Sequence, residues 1–174
     1  MRGAFLLCWW AAGVFVAGCR DRTNVTPIAG GKGYENEMGS KQRIRLPDGS
    51  AVILGPGAKV DLGKGFSKGN RQVELDGEAW FDVGAGPFEL HTRDLVVEVL
   101  SAARFHANAV RSKPGEEIDL LEGKLRAKKS YHSDTDNEAE VLGPGEMVMI
   151  NRDIDLMEKE KLNPAELDKL KEGW

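Results

Sequence analysis

Several groups of residues in this chain could carry chemistry. The three histidines, His91, His106 and His132, could act as bases or metal ligands. A zinc site needs clustered ligands, and none of the three has a second histidine at helical spacing or a cysteine to complete the set. His91 and His106 alternate with apolar strand residues, a pattern that predicts outward-facing polar positions. Glu74, Glu78 and Asp82 could supply the paired carboxylates of glycoside hydrolysis, but the even spacing of Glu78 and Asp82 fits the polar face of an amphipathic strand equally well. Asp134, Asp136 and Glu138 alternate like the start of a calcium loop. Ala139 stands where that loop needs glycine, and Gly145 where it needs a bidentate glutamate. Gly30-Gly31-Lys32-Gly33 lacks the serine or threonine that follows the lysine of a phosphate loop, and Thr26 stands in place of its first glycine. These patterns predict a protein with no catalytic residues, no metal ligands and no cofactor.

Cys19 is different. Arg2 precedes an uncharged run from Ala4 to Val16, which ends in Ala17-Gly18-Cys19, the three-part pattern of a secretory signal. An uncleaved span is the alternative reading, but the apolar run to Gly18 falls short of the roughly 20 residues that cross a bilayer. Cys8, the other of the two cysteines, lies inside the run that would be removed, so Cys19 is left without a disulfide partner. Val16-Ala17-Gly18-Cys19 resembles the bacterial lipobox, which implies lipidation of Cys19. Acyl chains, each contributing about 0.8 kcal/mol per buried methylene, would then hold the protein on a membrane. Arg20 follows the cysteine where enteric lipoproteins kept on the inner membrane carry aspartate, so the expected location is the periplasm-facing envelope, at the outer membrane.

The elements that must position these residues follow from alternation and turn signals. Residues 1–18 are expected as a signal peptide, 19–40 as a flexible tether, 41–152 as a β domain and 153–174 as a helical tail. Gln42–Leu46, a Pro47-Asp48-Gly49 turn and Ser50–Leu54 predict a hairpin. The same signal recurs at Arg71–Leu75, Asp76-Gly77 and Glu78–Val83, and again at Ile118–Leu121, Glu122-Gly123 and Lys124–Ala127. Phe88–Thr92 and Leu95–Leu100 are further strands, the second apolar enough to be central. Asn163-Pro164-Ala165-Glu166 has the signature of a helix start, with Leu162, Leu167 and Leu170 forming a narrow apolar stripe. The predicted fold is all-β, with twisted stacked hairpins in a two-layer sheet or solenoid and a short C-terminal helix. The 24 Lys and Arg against 28 Asp and Glu form no basic stripe, so nucleic acid is not an expected partner.

Three stretches in order, "LPDGSAVIL" at 46–54, "RQVELDGEAWFDV" at 71–83 and "IDLLEGKLRA" at 118–127 followed by "LGPGEMV" at 142–148, resemble the FecR domain. This is the envelope-side domain of regulators that work with iron-uptake receptors and sigma factors. The resemblance covers roughly residues 41–152 and implies an all-β fold in which Ala79, Phe81 and Val83 face inward. It places Trp80 on the opposite side of that strand, as a second-layer packing residue or an exposed contact. A lipobox stands where such regulators carry a cytoplasmic segment and a spanning helix, which implies the β domain alone, re-anchored. Ala102 and Ala103 replace a local glycine turn. The expected role is protein–protein signalling in the envelope, with a TonB-dependent receptor or a sigma regulator as partner and Trp80, Leu167 and Leu170 as contact residues. Recognition of glycan or peptidoglycan is the alternative.

Overall fold

The computed structural model describes residues 33–66 and 69–174, together with the backbone of residues 26 and 27; Cys19 and the expected signal peptide lie outside the described residues. The strands run in chain order as β1 (Thr26–Pro27), β2 (Gly33–Glu35), β3 (Gln42–Arg45), β4 (Ala51–Leu54), β5 (Lys59–Leu62), β6 (Gln72–Val83), β7 (Phe88–His91) and β8 (Leu95–Val99). They continue as β9 (Ala103–Ala109), β10 (Gly115–Glu122), β11 (Leu125–Lys129), β12 (Glu140–Leu142), β13 (Glu146–Asn151) and β14 (Leu156–Lys161), with a 3-10 turn at Arg152–Ile154 between the last two, and the α-helix α1 (Pro164–Glu172) follows.

The fold is all-β with a short C-terminal helix, in two layers that share β6. One layer has the order β1-β2-β5-β6-β7-β8-β11-β12, with β6 and β7 parallel and the other pairs antiparallel. The other has the order β3-β4-β6-β9-β10-β13-β14, antiparallel throughout. Strict alternation along β6 puts Val73, Leu75, Ala79, Phe81 and Val83 in one core, where they meet Leu90, Val97 and Leu125 of the first layer and Val52, Phe105 and Ile118 of the second. The inward direction expected for Ala79, Phe81 and Val83 is therefore the one observed.

The hairpins expected at Asp76-Gly77 and at Glu122-Gly123 are absent, and both glycines do another job. Residues 72–83 form one continuous strand whose first part pairs with β5 and β7 and whose second part pairs with β4 and β9. Gly77 has φ +112° and lies so close to β5's neighbour Ala58 that a Cβ would come within 2.7 Å of the Ala58 Cα. Gly123 has φ +96° and lets the chain leave β10 in one layer and enter β11 in the other; a Cβ there would sit 2.3 Å from the Ala102 carbonyl oxygen. A side chain at either position would meet both the positive φ and the neighbouring backbone. By contrast, Pro47-Asp48-Gly49 does close the β3–β4 hairpin, and β7 and β8 form a second one.

The domain also extends beyond its expected limits. Residues 33–40 were expected in the tether, but β2 pairs with β5. Asn36 is fully buried, and its amide donates to the carbonyls of Leu54 and Gly55. Residues 156–161 were expected in the tail, but form β14 as an edge strand along β13. Only 164–172 is α-helical, with a reciprocal capping box in which the Glu166 N–H donates to Asn163 Oδ1 at 3.0 Å and the Asn163 N–H donates to Glu166 Oε2 at 2.8 Å. Among the described residues, no helix is long and apolar enough to cross a membrane.

Candidate functional site

The outer face of the second layer carries the concentration of unusual side chains. Register fixes two rows across its central strands. Trp80 on β6, His106 on β9 and Asp119 on β10 lie opposite one another, and Glu78, Asn108 and Glu117 form the adjacent row on the same strands. All six point away from the main core, because each lies one residue from an inward position. Helix α1 then lies over this face. Leu162 and Leu170 join Ile53, Trp80 and Met147 in a second apolar cluster, with Leu167 and Trp174 packed against it.

Trp80 is only 6% exposed. The helix end fits tightly over its indole edge, since a Cβ on Gly173 would lie 2.3 Å from Trp80 Nε1. The Lys41 ammonium sits 3.6 Å from the centre of the indole ring and donates to the Gly173 carbonyl at 3.2 Å. The Arg104 guanidinium covers Trp174 at 4.4 Å. Thus Trp80, Leu167 and Leu170, the expected contact residues, are brought together, with Trp80 and Leu170 buried against each other's layer and Leu167 at the half-buried margin.

His106 departs from its expected solvent-facing role. It lies on the outer side of the sheet, but α1 and its neighbours leave it only 8% exposed. Its Nδ1 is 2.8 Å from Asp119 Oδ2 and its Nε2 is 3.1 Å from Glu78 Oε1. Two carboxylates facing both ring nitrogens match the imidazolium, which donates from each. Burial opposes that charge, but hydrogen bonds to Asp119 and Glu78 outweigh it and raise the His106 pKa. The His106 hydrogen bond in turn lowers the Glu78 pKa. Glu117 moves the other way: burial, then the neighbouring Asp119 carboxylate, push it up to about 7.

Both raised groups give the same sign of pH dependence. The His106 contribution is complete below the unfolded imidazole pKa and is lost as pH rises through its folded value. The Glu117 penalty is absent below its ordinary carboxyl range and complete above about 7. The fold should therefore be more stable near about pH 5.5 than near about pH 8. Because Glu117 keeps some solvent contact, the difference is expected to be on the order of 1–2 kcal/mol. Urea unfolding of the native protein and of Glu117→Gln at both pH values checks this, and the variant should lose most of the slope. Equal midpoints for the native protein would mean that Glu117 is already ionised in the fold.

The other residues singled out in the sequence do not join this site. Asp82 is exposed beside Arg104 in register, and Glu74 pairs across to β5 and β7. His91 contacts Glu89 on its own strand. The 130–139 loop is organised around Asp155, whose carboxylate accepts from Ser133, Thr135, Tyr131 and Lys129, and those bonds hold its pKa far below the usual range. Among the described residues, no group of three or more His, Cys, Asp or Glu side chains is placed to hold a metal ion.

The two shared layers and the family pattern agree with the comparisons. A family model described as FecR protein matches residues 33–126, from the start of β2 into β11, and the chain belongs to this family. Two crystal structures of a proposed anti-sigma factor from Parabacteroides distasonis ATCC 8503, at 2.50 and 1.65 Å resolution, share the fold, each with a TM-score of 0.69 and 24% identity. The match takes in 81% of this chain and only 64% and 65% of those two chains. No curated protein matches the sequence.

Proposed function

We propose that this chain is a regulatory module of the bacterial envelope, held at a membrane through lipidated Cys19 and acting by protein–protein signalling with an envelope receptor or a sigma regulator. The observation that carries this reading is the FecR match over residues 33–126. The fold shared with a proposed anti-sigma factor supports it. Partner contact falls to the surface around α1, where Leu167 and Leu170 lie over Trp80, and to the free edge of β14 beside it. Among the described residues that strand pairs with β13 on one side only, so its other side offers backbone donors and acceptors that they leave unpaired. Leu156 at its start and the preceding Ile154 are 41% and 66% exposed.

A photoreactive residue at position 167, and separately at 156, in intact cells tests the partner class. Capture of a membrane receptor or a sigma regulator at either position is the expected result. If neither captures an envelope protein while the purified protein sediments with cell-wall fragments, the glycan reading replaces this one. The anchor is tested separately: Cys19→Ser should release the protein from membranes or leave it as a longer precursor, read by detergent partitioning and mass analysis of the N-terminus. An unmodified Cys19 on a full-length membrane-bound chain would show an uncleaved span instead.

A further inference from the structure

A cavity of about 470 Å³ lies between the outer face of the second layer and α1, and its charges do not balance. Glu78, Glu117 and Asp119 line it from the sheet, Glu160 from β14 and Glu166 from α1. Against these carboxyl groups stand His106, already engaged by Glu78 and Asp119, and Lys169 on the helix. Lys41, over the Trp80 ring, and Lys113 act on Glu78 from the margin.

Two acceptors in this cavity have no donor from a neighbouring cation or amide. Asp119 is 4% exposed; its Oδ2 faces His106, and its Oδ1 is buried with no donor among the described residues other than the Glu117 carboxyl, whose hydrogen bond to Asp119 in the protonated form helps raise the Glu117 pKa. Asn108 Oδ1, in the adjacent row, is likewise buried without a donor. An unpaired buried acceptor of this kind costs free energy comparable to a lost hydrogen bond, and more where it carries charge. The Trp80 indole forms part of the wall, and the Lys41 ammonium on its ring shows that this face already accommodates one such cation.

We propose that the cavity beneath α1 is a binding site for a primary ammonium group, the end of a lysine side chain or of a small amine, which donates to Asp119 Oδ1, Asn108 Oδ1 and the Glu117 carboxylate. An ammonium carries three donors on a compact point charge, matching these three acceptors in number, whereas the flat guanidinium fork suits paired carboxylate oxygens. A proton on Glu117 and an ammonium beside it are alternative ways of neutralising the same charge, so binding displaces that proton. Loss of the His106 proton at higher pH removes a competing cation and acts in the same direction.

Small amines report on the cavity directly, so the outcome is separate from that of the crosslinking above. The full chain is titrated with n-butylammonium, with putrescine and with N-acetyl-lysine methylamide, following the side-chain carboxyl carbons of Glu117 and Asp119 by NMR at about pH 6 and about pH 8. Saturable shifts are expected, with binding roughly tenfold tighter at the higher pH from Glu117 ionisation alone, and methylguanidinium should bind more weakly. Stronger binding of the lysine amide than of the free amines would assign the site to a protein side chain, and the reverse to a small amine. Glu117→Gln preserves the shape of the protonated group and should remove the roughly tenfold part of the pH dependence that Glu117 ionisation supplies, while Asp119→Asn should weaken binding at both pH values. Glu166→Gln keeps a side-chain oxygen that can accept from the Asn163 N–H, so the cap of α1 is retained, and it should weaken binding modestly. Absence of saturable shifts at about pH 8, or binding unchanged in Glu117→Gln and Glu166→Gln, would overturn the proposal and leave a carboxyl pair that only shares a proton.

Discussion

Phe81→Ala is expected to lower the unfolding free energy by about 3–5 kcal/mol, a large part of the roughly 5–15 kcal/mol that holds an ordinary domain folded. Phe81 is fully buried. Its ring stacks on Phe105 of the adjacent strand at 5.0 Å and meets the edge of Phe88, from the opposite layer, at 6.3 Å. Truncation therefore opens a cavity at the point where the two layers touch, and neither layer can close it without moving the strand they share. Trp80→Ala, one residue along, removes a side chain of the outer cluster instead. Its effect should concentrate on α1, which can separate from the sheet without disturbing the main core. Urea melts followed by far-ultraviolet circular dichroism should show the larger midpoint loss for Phe81→Ala, with Trp80→Ala altering the helix signal first. Equal losses with single transitions would mean that the helix and the core unfold as one unit.

Much of this architecture was legible because it depends on local signals. Alternation located β6 and the inward direction of Ala79, Phe81 and Val83. Pro47-Asp48-Gly49 marked a true hairpin, and Asn163-Pro164 with Glu166 marked the helix start to the residue. The same signals misled at Gly77 and Gly123. A glycine preceded by an acidic residue announces a backbone that needs positive φ, and a hairpin turn and a strand passing between layers both need one. The difference lies in which distant strands pair on either side, and that information is spread over β4, β5, β7 and β9.

The site was less legible for the same reason. His106 is separated by 28 residues from Glu78 and by 13 from Asp119, so no motif joins them; antiparallel register alone puts them in contact. The available hint was parity. Glu78 and Trp80 share one side of β6, and once β6 and β9 are paired the even positions of both strands must share that face. What no pattern showed was that α1 covers it, which turns an apparently solvent-facing histidine into a buried one held between two carboxylates.

Arg71 is the remaining side chain on which a large effect rests. Its guanidinium lies just before β6 with 6% of the side chain exposed, 2.7 Å from an Asp48 carboxylate that is 1% exposed. It also donates to Ser50 Oγ and to the carbonyls of Gly84 and Ala85, and it covers the Phe88 ring at 5.3 Å. One cation thus ties the β3–β4 turn to both ends of the β6–β7 connection. Burial by itself would raise the Asp48 pKa, but hydrogen bonds from Ser50 and the Arg71 partner outweigh it and lower the value. Its stabilising contribution is accordingly present above the ordinary carboxylate pKa and is lost as pH falls through the folded one. Arg71→Met keeps much of the apolar stem but strands the Asp48 charge, and breaking a buried pair from one side costs about 3–5 kcal/mol. Adding Asp48→Asn removes that charge while an amide oxygen can still accept from the Ser50 N–H, so the double variant should recover part of the loss despite carrying one more substitution. Urea unfolding of the native protein, both single variants and the double variant at about pH 7 completes the cycle. A loss below about 1 kcal/mol for Arg71→Met would place the pair with solvent-screened surface bridges, and the hairpin would then be held by Leu46, Val52 and Leu54 in the core instead of by its turn.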